Sequence, residues 1–396
     1  MQPPVLSPVS PTSLVTGLAA AAGLLARDDE SVIAALCERY DASDALLTDS
    51  GTSALVLALR AVVPAGGIVA YPGYACIDLT AAAVQAGVKV RLYDLDPETL
   101  SPDIESVRDV ISRGVDAIVV AHLYGYPADV DAVRDLGELH GIPIIEDSAQ
   151  GAGGTLRATR LGALAGISTL SFGRGKGTTA GAGGAVLVRT APLASWVRET
   201  RGNLGTASRG GRQIIGLAAQ WMLAHPLLYR FPTSMPGLRL GEMVYHPAHD
   251  PRPISVAAAS ILTTALTMDE REVACRRGHA TNLLSRMNGS GRLQPVRCVA
   301  GGESGYLRLA CIDPSGHVLP QASLGAVRGY PLTLEQHEQL RPNLLPGETA
   351  GKGSVLLRDR LFTMPTHSRV GRADLARLSD WLATPRSTPI SPVLFS

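Results

Sequence analysis

Short apolar runs rich in β-branched residues alternate with segments of helical periodicity from residue 45 onward. The apolar runs predict strands, and the segments between them, whose apolar residues recur every three or four positions, predict amphipathic helices. The predicted strands lie at 45–49, 68–72, 88–96, 116–125, 142–150, 167–173 and 183–190. Because strands separated by helices pair in parallel through right-handed crossovers, the pattern predicts an α/β sheet whose polar sites lie at the strands' carboxyl ends.

The alternation weakens after residue 190, which divides the chain into unequal parts. We predict an N-terminal arm (1–29), a large domain (30–265), a small α+β C-terminal domain (266–385) and a loose tail (386–396). Residues 200–254 are rich in Gly, Pro and Arg and predict a long irregular connection, of the kind that usually serves a function.

Composition excludes several classes of protein. The 36 basic and 35 acidic residues nearly cancel, so no nucleic-acid partner is expected. Five scattered cysteines form no metal spacing, which predicts no metal site and a reducing, cytoplasmic location. No apolar run is long enough to span a bilayer. The first basic residue, Arg27, follows the apolar stretch near the amino end, whereas a secretory signal needs positive charge before it.

Lysine supplies only three of the 36 basic residues, and one of the three, Lys176, lies inside the glycine-rich run SFGRGKGTTAGAGG (171–184). An amine condenses with an aldehyde and a guanidinium does not, so covalent chemistry is one reason to keep a lysine here. A surface lysine in a flexible loop is the alternative. A phosphate-binding P-loop is excluded, because it would need glycine at Leu170 and Ser or Thr at Gly177.

Two further motifs precede this lysine. TDSGTSAL (48–55) places a strand end, a glycine and a helix start together, which suits an anion, although such a segment by itself is more often a plain helix cap. EDSAQGAG (146–153) places Asp147 where an apolar strand leaves the core, a position in which a carboxylate needs a partner. A phosphate cradle, an acid for a pyridine nitrogen and an imine-forming lysine, in this order, are the fixtures that pyridoxal 5'-phosphate (PLP) requires.

Six segments together resemble the DegT/DnrJ/EryC1/StrS family of PLP-dependent aminotransferases, over roughly residues 30–385. They are SGTSAL, YDLDPETLSPD (93–103), HLYGYPADVDAV (122–133), EDSAQGAGG, SFGRGK and LFTMPTHSRV (361–370). The resemblance implies a fold type I architecture, with a large, mostly parallel mixed sheet flanked by helices and a smaller C-terminal α+β domain. It also implies a homodimer with shared active sites. The implied reaction moves an amino group from an amino acid donor, by family habit glutamate, to a keto sugar, in many cases nucleotide-linked.

The resemblance also implies roles for individual residues. Lys176 would bond to the cofactor's aldehyde, and Asp147 would pair with its pyridine nitrogen. Gln150 would lie against the ring or its phenolic oxygen, and His122 would support the site without contacting substrate. The implied phosphate cradle consists of Gly51, Thr52, Ser53 and Ser171.

The sequence also departs from the family pattern. Where the family stacks an aromatic residue on the cofactor ring, this chain has Cys76, so either Tyr74 supplies the ring or a smaller group lies there. Ala182 replaces an acid that follows the lysine. The asparagine that reaches the partner's phosphate is not recognisable, and Tyr245, His246 and Arg252 occupy roughly its place.

These departures leave the function partly open. Cofactor binding is expected, but the keto substrate can equally be a cyclitol or a compound that is not a sugar. A PLP-binding protein without turnover is a further alternative. The family's dehydratases carry histidine at the lysine position, so Lys176 favours transamination. A nicotinamide-dependent oxidoreductase is disfavoured because no GxGxxG follows the first strand.

Overall fold

The structure is a computed structural model of the chain and describes residues 2–223, 245–287 and 292–383. Its first nine strands are β1 (Asp44–Thr48), β2 (Ile68–Pro72), β3 (Lys89–Tyr93), β4 (Ala117–Ala121), β5 (Ile144–Asp147), β6 (Thr155–Leu156), β7 (Thr159–Arg160), β8 (Ile167–Ser171) and β9 (Gly184–Val188). One seven-stranded sheet has the order β1-β9-β8-β5-β4-β2-β3. Strands β2, β3, β4, β5 and β8 are parallel, and β9 lies antiparallel between β8 and β1. The predicted fold class, a mostly parallel mixed sheet, is confirmed.

Helices flank this sheet and continue into the rest of the chain. They are α1 (Pro11–Ala21), α2 (Asp29–Tyr40), α3 (Gly51–Val62), α4 (Asp78–Ala86), α5 (Ile104–Ser112), α6 (Val130–His140), α7 (Ala191–Asn203), α8 (Gly211–Leu223), α9 (Val256–Met287), α10 (Lys352–Arg360) and α11 (Arg372–Ala383). Side-chain caps fix where several of them begin, because a helix leaves its first amides without internal partners. Ser50, Asp103 and Asp129 accept hydrogen bonds from the amides at the starts of α3, α5 and α6.

The segment predicted to be an irregular connection, 200–254, is partly regular. Helix α7 ends within it at Asn203, and α8 occupies Gly211–Leu223. Apolar residues of α8, such as Ile214 and Leu217, are buried against α1 and α9. This tertiary packing stabilises a helix that the glycine and arginine content of the segment does not predict. Residues 224–244 and the predicted tail, 386–396, lie outside the described residues, and the division into domains stays a prediction.

Both faces of the sheet are buried, as expected for parallel strands covered by helices. Side chains of β4 alternate between two apolar layers: Ile118 and Val120 pack with α5 and α6, whereas Val119 packs with α3 and α4. No polar side chain lies in the middle of this strand. The strand's function is therefore to hold the residues at its carboxyl end in place.

A smaller sheet forms the C-terminal part of the described chain. It contains β10 (Gln294–Pro295), β12 (Leu309–Ile312), β14 (Leu361–Met364) and β13 (Val327–Arg328) in this order, while β11 (Gly302–Glu303) pairs with β6. The end of α9 and helix α11 cover the sheet with an apolar cluster of their own. No helix among the described residues is long and apolar enough to cross a membrane.

The N-terminal arm packs against this C-terminal part. Its backbone amide at Gln2 donates to the Ser323 carbonyl at 3.0 Å. His367, only 1% exposed, donates from Nε2 to the Pro3 carbonyl at 3.0 Å. Burial lowers the pKa of His367 to about 4, so the imidazole is neutral at pH 7.

This buried histidine predicts a loss of stability in acid. The unfolded chain binds the proton near pH 6.5 and the folded chain only near pH 4, so acidification between these values favours unfolding. The contribution of His367 to the free energy of unfolding is fully present above pH 6.5, and about 3 kcal/mol of it is lost by pH 4. Urea unfolding at several pH values should therefore show a smaller pH dependence in His367→Gln than in the parent. The same change at exposed His140 should leave the pH dependence as it is; equal profiles for all three proteins would contradict the prediction.

Candidate active site

A cleft opens at the carboxyl ends of β4 and β5, the edge at which parallel sheets place their sites. The space between its atoms, counted together with its opening to solvent, is about 300 Å³, and the cleft itself is narrow. Side chains from four separate segments line it: Cys76, Asp78, Leu79, Ala121, His122, Leu123, Asp147, Ala149, Gln150 and Lys176. The structure thus brings Lys176, Asp147, Gln150 and Cys76, which lie up to 100 positions apart in the sequence, around one space.

Asp147 ends β5 and is 8% exposed. Its Oδ1 accepts hydrogen bonds from the Ala149 amide at 3.0 Å and the Thr169 hydroxyl at 3.2 Å. Burial raises the pKa of the Asp147 carboxyl, although the Ala149 amide and the charge on Lys176 act in the opposite direction. No salt bridge to it is present among the described residues. A cationic hydrogen-bond donor bound in the cleft would stabilise this buried carboxylate, which has no ion-pair partner among the described residues.

Lys176 lies half-buried on the loop between β8 and β9, across the cleft from β5. Burial by itself disfavours the charged amine, but the acidic groups around it, among them the carboxylates of Asp78 and Asp147, raise the pKa of Lys176. The glycine after the lysine permits the close approach of this loop to the chain after β5. A Cβ on Gly177 would lie 2.0 Å from the Cβ of Ala152, so no larger residue fits there.

The start of α3 meets the end of β8. Ser50 caps the helix, accepting from the Ser53 amide at 3.0 Å, and the two hydroxyls lie 2.9 Å apart. A Cβ on Gly51 would lie 2.7 Å from Ser171 Oγ, so the serine hydroxyl faces the helix start directly. The first amides of a helix have no partner inside it, and with the hydroxyl they suit a phosphate group. Gly51, Thr52 and Ser171 thus present groups that suit an anion, and together they are called the anion cradle below, whereas the side chain of Ser53 takes part in the cap.

The structure separates the two candidates for the ring-facing position. Cys76 lines the cleft, whereas Tyr74 is fully buried beside it in a cluster with Tyr124 and Tyr330. The Tyr74 hydroxyl accepts from the Tyr330 amide at 2.6 Å and lies 3.3 Å from that of Tyr124. Burial, with a smaller effect of Asp78, raises the pKa of the Cys76 thiol to about 12. The cleft therefore presents a small neutral thiol at this position.

Gln150 is held at both ends of its amide. Its Nε2 donates to the Tyr330 hydroxyl at 2.5 Å, and its Oε1 accepts from the Tyr124 amide at 3.1 Å. Tyr330 comes from the C-terminal part of the chain, 180 positions away, and no local pattern marks it as part of a site. The tyrosine cluster thus fixes the orientation of a residue that lines the cleft.

His122, which borders the cleft, forms a fully buried pair with Glu146. His122 Nδ1 accepts from the Ala128 amide at 3.0 Å, so Nε2 carries the proton and donates to Glu146 at 2.9 Å. Glu146 also accepts from the amides of Gly162, Leu164 and Ala165. Burial opposes its charge, but these donors outweigh burial and lower the pKa of Glu146.

The segment in the place of the family's asparagine lies beside the anion cradle of its own chain. The backbone amide of Asp49 donates a hydrogen bond to the Arg252 carbonyl at 2.9 Å. His249 Nε2 lies 3.3 Å from the Asp49 carboxylate. Among the described residues, no cluster of three or more metal-ligating side chains is present.

PLP fits the groups around the cleft. The buried Asp147 carboxylate suits a protonated ring nitrogen, the cradle at Gly51 and Ser171 suits a phosphate, and the Lys176 amine suits an aldehyde. Three different parts of one small molecule thus have a matching group at the same edge of the sheet.

Comparison with known proteins agrees with this fit. Residues 27–217 match the model of the DegT/DnrJ/EryC1/StrS aminotransferase family. The L-glutamine:2-deoxy-scyllo-inosose aminotransferase of Streptomyces fradiae is 33% identical over 235 residues, which are 59% of this chain and 50% of that protein. The dTDP-3-amino-3,4,6-trideoxy-alpha-D-glucose transaminase of Streptomyces venezuelae is 35% identical over 47% of this chain and 49% of its own length. The chain thus matches about half the length of each of these curated relatives.

A solved structure shows the same fold over nearly the whole chain. The sugar aminotransferase CalS13 from Micromonospora echinospora has a TM-score of 0.77 at 20% identity. The match covers 97% of this chain and 99% of that one. It therefore extends beyond the family match, into the C-terminal sheet.

The Glu146 pair generates a prediction about stability. Glu146→Ala would leave the His122 N–H and three loop amides without an acceptor in a buried place, and we expect it to lower the free energy of unfolding by about 3–5 kcal/mol. Glu138→Ala, which removes a side chain that is 71% exposed on α6, should change it by less than about 0.5 kcal/mol. Urea denaturation measures both. A loss below about 1 kcal/mol for Glu146→Ala would show that the pair does not hold this loop.

Proposed function

Because residues 27–217 match the model of the DegT/DnrJ/EryC1/StrS aminotransferase family, we propose that this chain is a PLP-dependent aminotransferase. It would transfer the amino group of glutamine or glutamate to a keto group on a polyhydroxylated ring. The observation that carries the proposal is the shared cleft of Lys176 and Asp147, with the anion cradle at the adjoining strand end.

When bound, PLP supplies an aldehyde that takes up an amino group and a ring that accepts electrons from the substrate carbon. Lys176 Nζ would bond to that aldehyde and, when released, would take a proton and return it as a general base and acid. The neighbours that raise its pKa favour the proton-bound amine, which is the acid form.

The other residues orient the cofactor. Asp147 Oδ1 is occupied by the Ala149 amide and the Thr169 hydroxyl, so its remaining oxygen is the one placed to hold a protonated ring nitrogen. Ser171 and the first amides of α3 would hold the phosphate. Gln150, fixed by Tyr124 and Tyr330, borders the same space. Cys76 would present its neutral thiol to the ring in place of an aromatic side chain.

The ring substrate is either a free keto cyclitol or a nucleotide-linked keto sugar. The first is the substrate named for the Streptomyces fradiae relative, and a dTDP-linked sugar is named for the Streptomyces venezuelae relative. With 3 Trp, 4 Phe and 10 Tyr, of which several are buried in one cluster, the chain offers little aromatic surface for a nucleotide base. We therefore favour the cyclitol. A homodimer with shared sites and a cytoplasmic location are further parts of this proposal, and light scattering tests the first of them.

The covalent role of Lys176 predicts a specific label. After incubation with PLP and borohydride, the peptide with Lys176 should carry the added mass of the reduced cofactor. Lys176→Arg should abolish this label and lower the amino-transfer rate at least about 100-fold, because a guanidinium does not condense with an aldehyde. Lys89→Arg and Lys352→Arg are matched controls, since they change the other two lysines of the chain. Label on the Lys176→Arg protein equal to that of the parent would refute the role.

A two-stage assay decides between turnover and binding alone. Protein loaded with PLP should convert it to pyridoxamine phosphate when glutamine or glutamate is added. The converted protein should then aminate 2-deoxy-scyllo-inosose at least about tenfold more efficiently than a dTDP-linked keto sugar, as kcat/KM shows. The reverse preference would favour the nucleotide sugar. Tight PLP binding with no conversion by either donor would refute the aminotransferase and leave a binding protein.

A further inference from the structure

The first part of the N-terminal arm, residues 2–9, has no regular secondary structure, yet half of its residues are buried and the others are half-buried; these residues are called the arm from here on. Its sequence, QPPVLSPV, contains three prolines, which restrict the backbone and remove amide donors. Leu6 is 6% exposed and Ser7 1% exposed. Terminal segments are ordinarily loose because ordering them costs conformational entropy. The arm therefore needs specific contacts at both of its ends.

One end of the arm is fixed on the C-terminal part of the chain. Gln2 donates from its amide to the Ser323 carbonyl at 3.0 Å and from its side chain to Asp374 at 2.5 Å. His367 donates to the Pro3 carbonyl at 3.0 Å. These contacts join the arm to three separate segments that surround the smaller sheet.

The other end of the arm lies on the lysine loop, residues 173–183. The Ser7 hydroxyl donates to the backbone carbonyl of Lys176 itself. Val5 packs on the preceding turn, where a Cβ on Gly175 would lie 3.2 Å from Val5 Cγ1. Gly175 has a φ of 78°, so this turn has a backbone conformation that other residues adopt only with strain.

A second hydrogen bond joins the lysine loop to helix α9. Thr178, two positions after the lysine, donates from its hydroxyl to Asp269 of α9 at 3.0 Å. Asp269 is also paired with Arg39 of α2 at 2.8 Å. The backbone on both sides of the Lys176 side chain is therefore fixed, by the arm at its carbonyl and by α9 beyond it.

Backbone position matters for this residue because its amine must meet a reacting atom in a narrow cleft. A displacement of about 1 Å in such a group can reduce a reaction rate about 100-fold. Ser7 touches neither the cleft nor any group that lines it except the lysine backbone. Its effect on the amine would thus be indirect.

We propose that Ser7 is a positioning residue for Lys176 and that the N-terminal arm ties the lysine loop to the C-terminal part of the chain. The role in catalysis rests on the proposed function, but the role in ordering the loop does not. The arm makes the position of the lysine depend on the packing of the smaller sheet.

Three variants test this role. Ser7→Ala removes the donor, and Ser7→Thr keeps a hydroxyl at the same place. Ser10→Ala is the matched control, because Ser10 caps α1 three residues further along, accepting from the Ser13 amide at 2.9 Å, and has no hydrogen bond to the lysine loop. It therefore reports what a general loss of stability in this region does.

The first measurement uses protein freed of cofactor. Hydrogen exchange of peptides covering 173–183, followed by mass spectrometry, should be about tenfold faster in Ser7→Ala than in the parent, because the buried carbonyl loses its donor. Ser7→Thr should restore the parent rate, and Ser10→Ala should leave it within about twofold. Unchanged exchange in Ser7→Ala, or an equal increase in Ser10→Ala, would overturn the proposal.

The second measurement uses PLP. At a PLP concentration that half-labels the parent, Ser7→Ala should show an about fivefold smaller fraction of borohydride-fixed Lys176, with kcat reduced more than KM is changed. Equal labelling and equal kcat would overturn the catalytic part of the proposal. A parent protein that takes no label would instead refute the proposed function, and the exchange experiment would still decide whether the arm orders the loop.

Discussion

The carboxylate of Asp147 is buried at the end of a strand without an ion pair among the described residues, and the arrangement of the site follows from it. Desolvation of a carboxylate is tolerable only where hydrogen bonds and a nearby positive charge offset it. The Ala149 amide, the Thr169 hydroxyl and the amine of Lys176 supply these. A protonated nitrogen in the cleft would complete the set, which is why an acid in this place suits a pyridine ring.

The residues around Asp147 are held in place by hydrogen bonds to groups outside the cleft. The neighbouring residue, Glu146, points away from the cleft and ties His122 and the 162–165 loop together, so two adjacent acids of one strand have different surroundings and opposite pKa shifts. Gln150 is fixed by tyrosines, and the lysine loop is fixed by Ser7 and Thr178. The groups that would contact the cofactor are thereby held by groups that would not.

The replacement of an aromatic residue by Cys76 distinguishes this cleft. Of the bulky side chains nearby, Tyr74 and Tyr124 each pack on Tyr330 with ring centroids 5.3 Å apart, and the thiol is the group that borders the space. A cofactor ring would lose stacking on that side and would depend more on Asp147 and the anion cradle.

The sequence by itself determined the α/β fold and the choice of Lys176 and Asp147, because strand and helix periods and the scarcity of lysine are local or compositional signals. It did not determine the helix at Gly211–Leu223, whose stability comes from packing against distant helices. Only the tertiary structure showed that Cys76 lines the cleft and that Tyr74 is buried beside it. It also joined Gln150 to Tyr330 and Ser7 to Lys176, pairs that lie 180 and 169 positions apart. Such contacts depend on how the whole chain folds back on itself, and no short stretch of sequence records them.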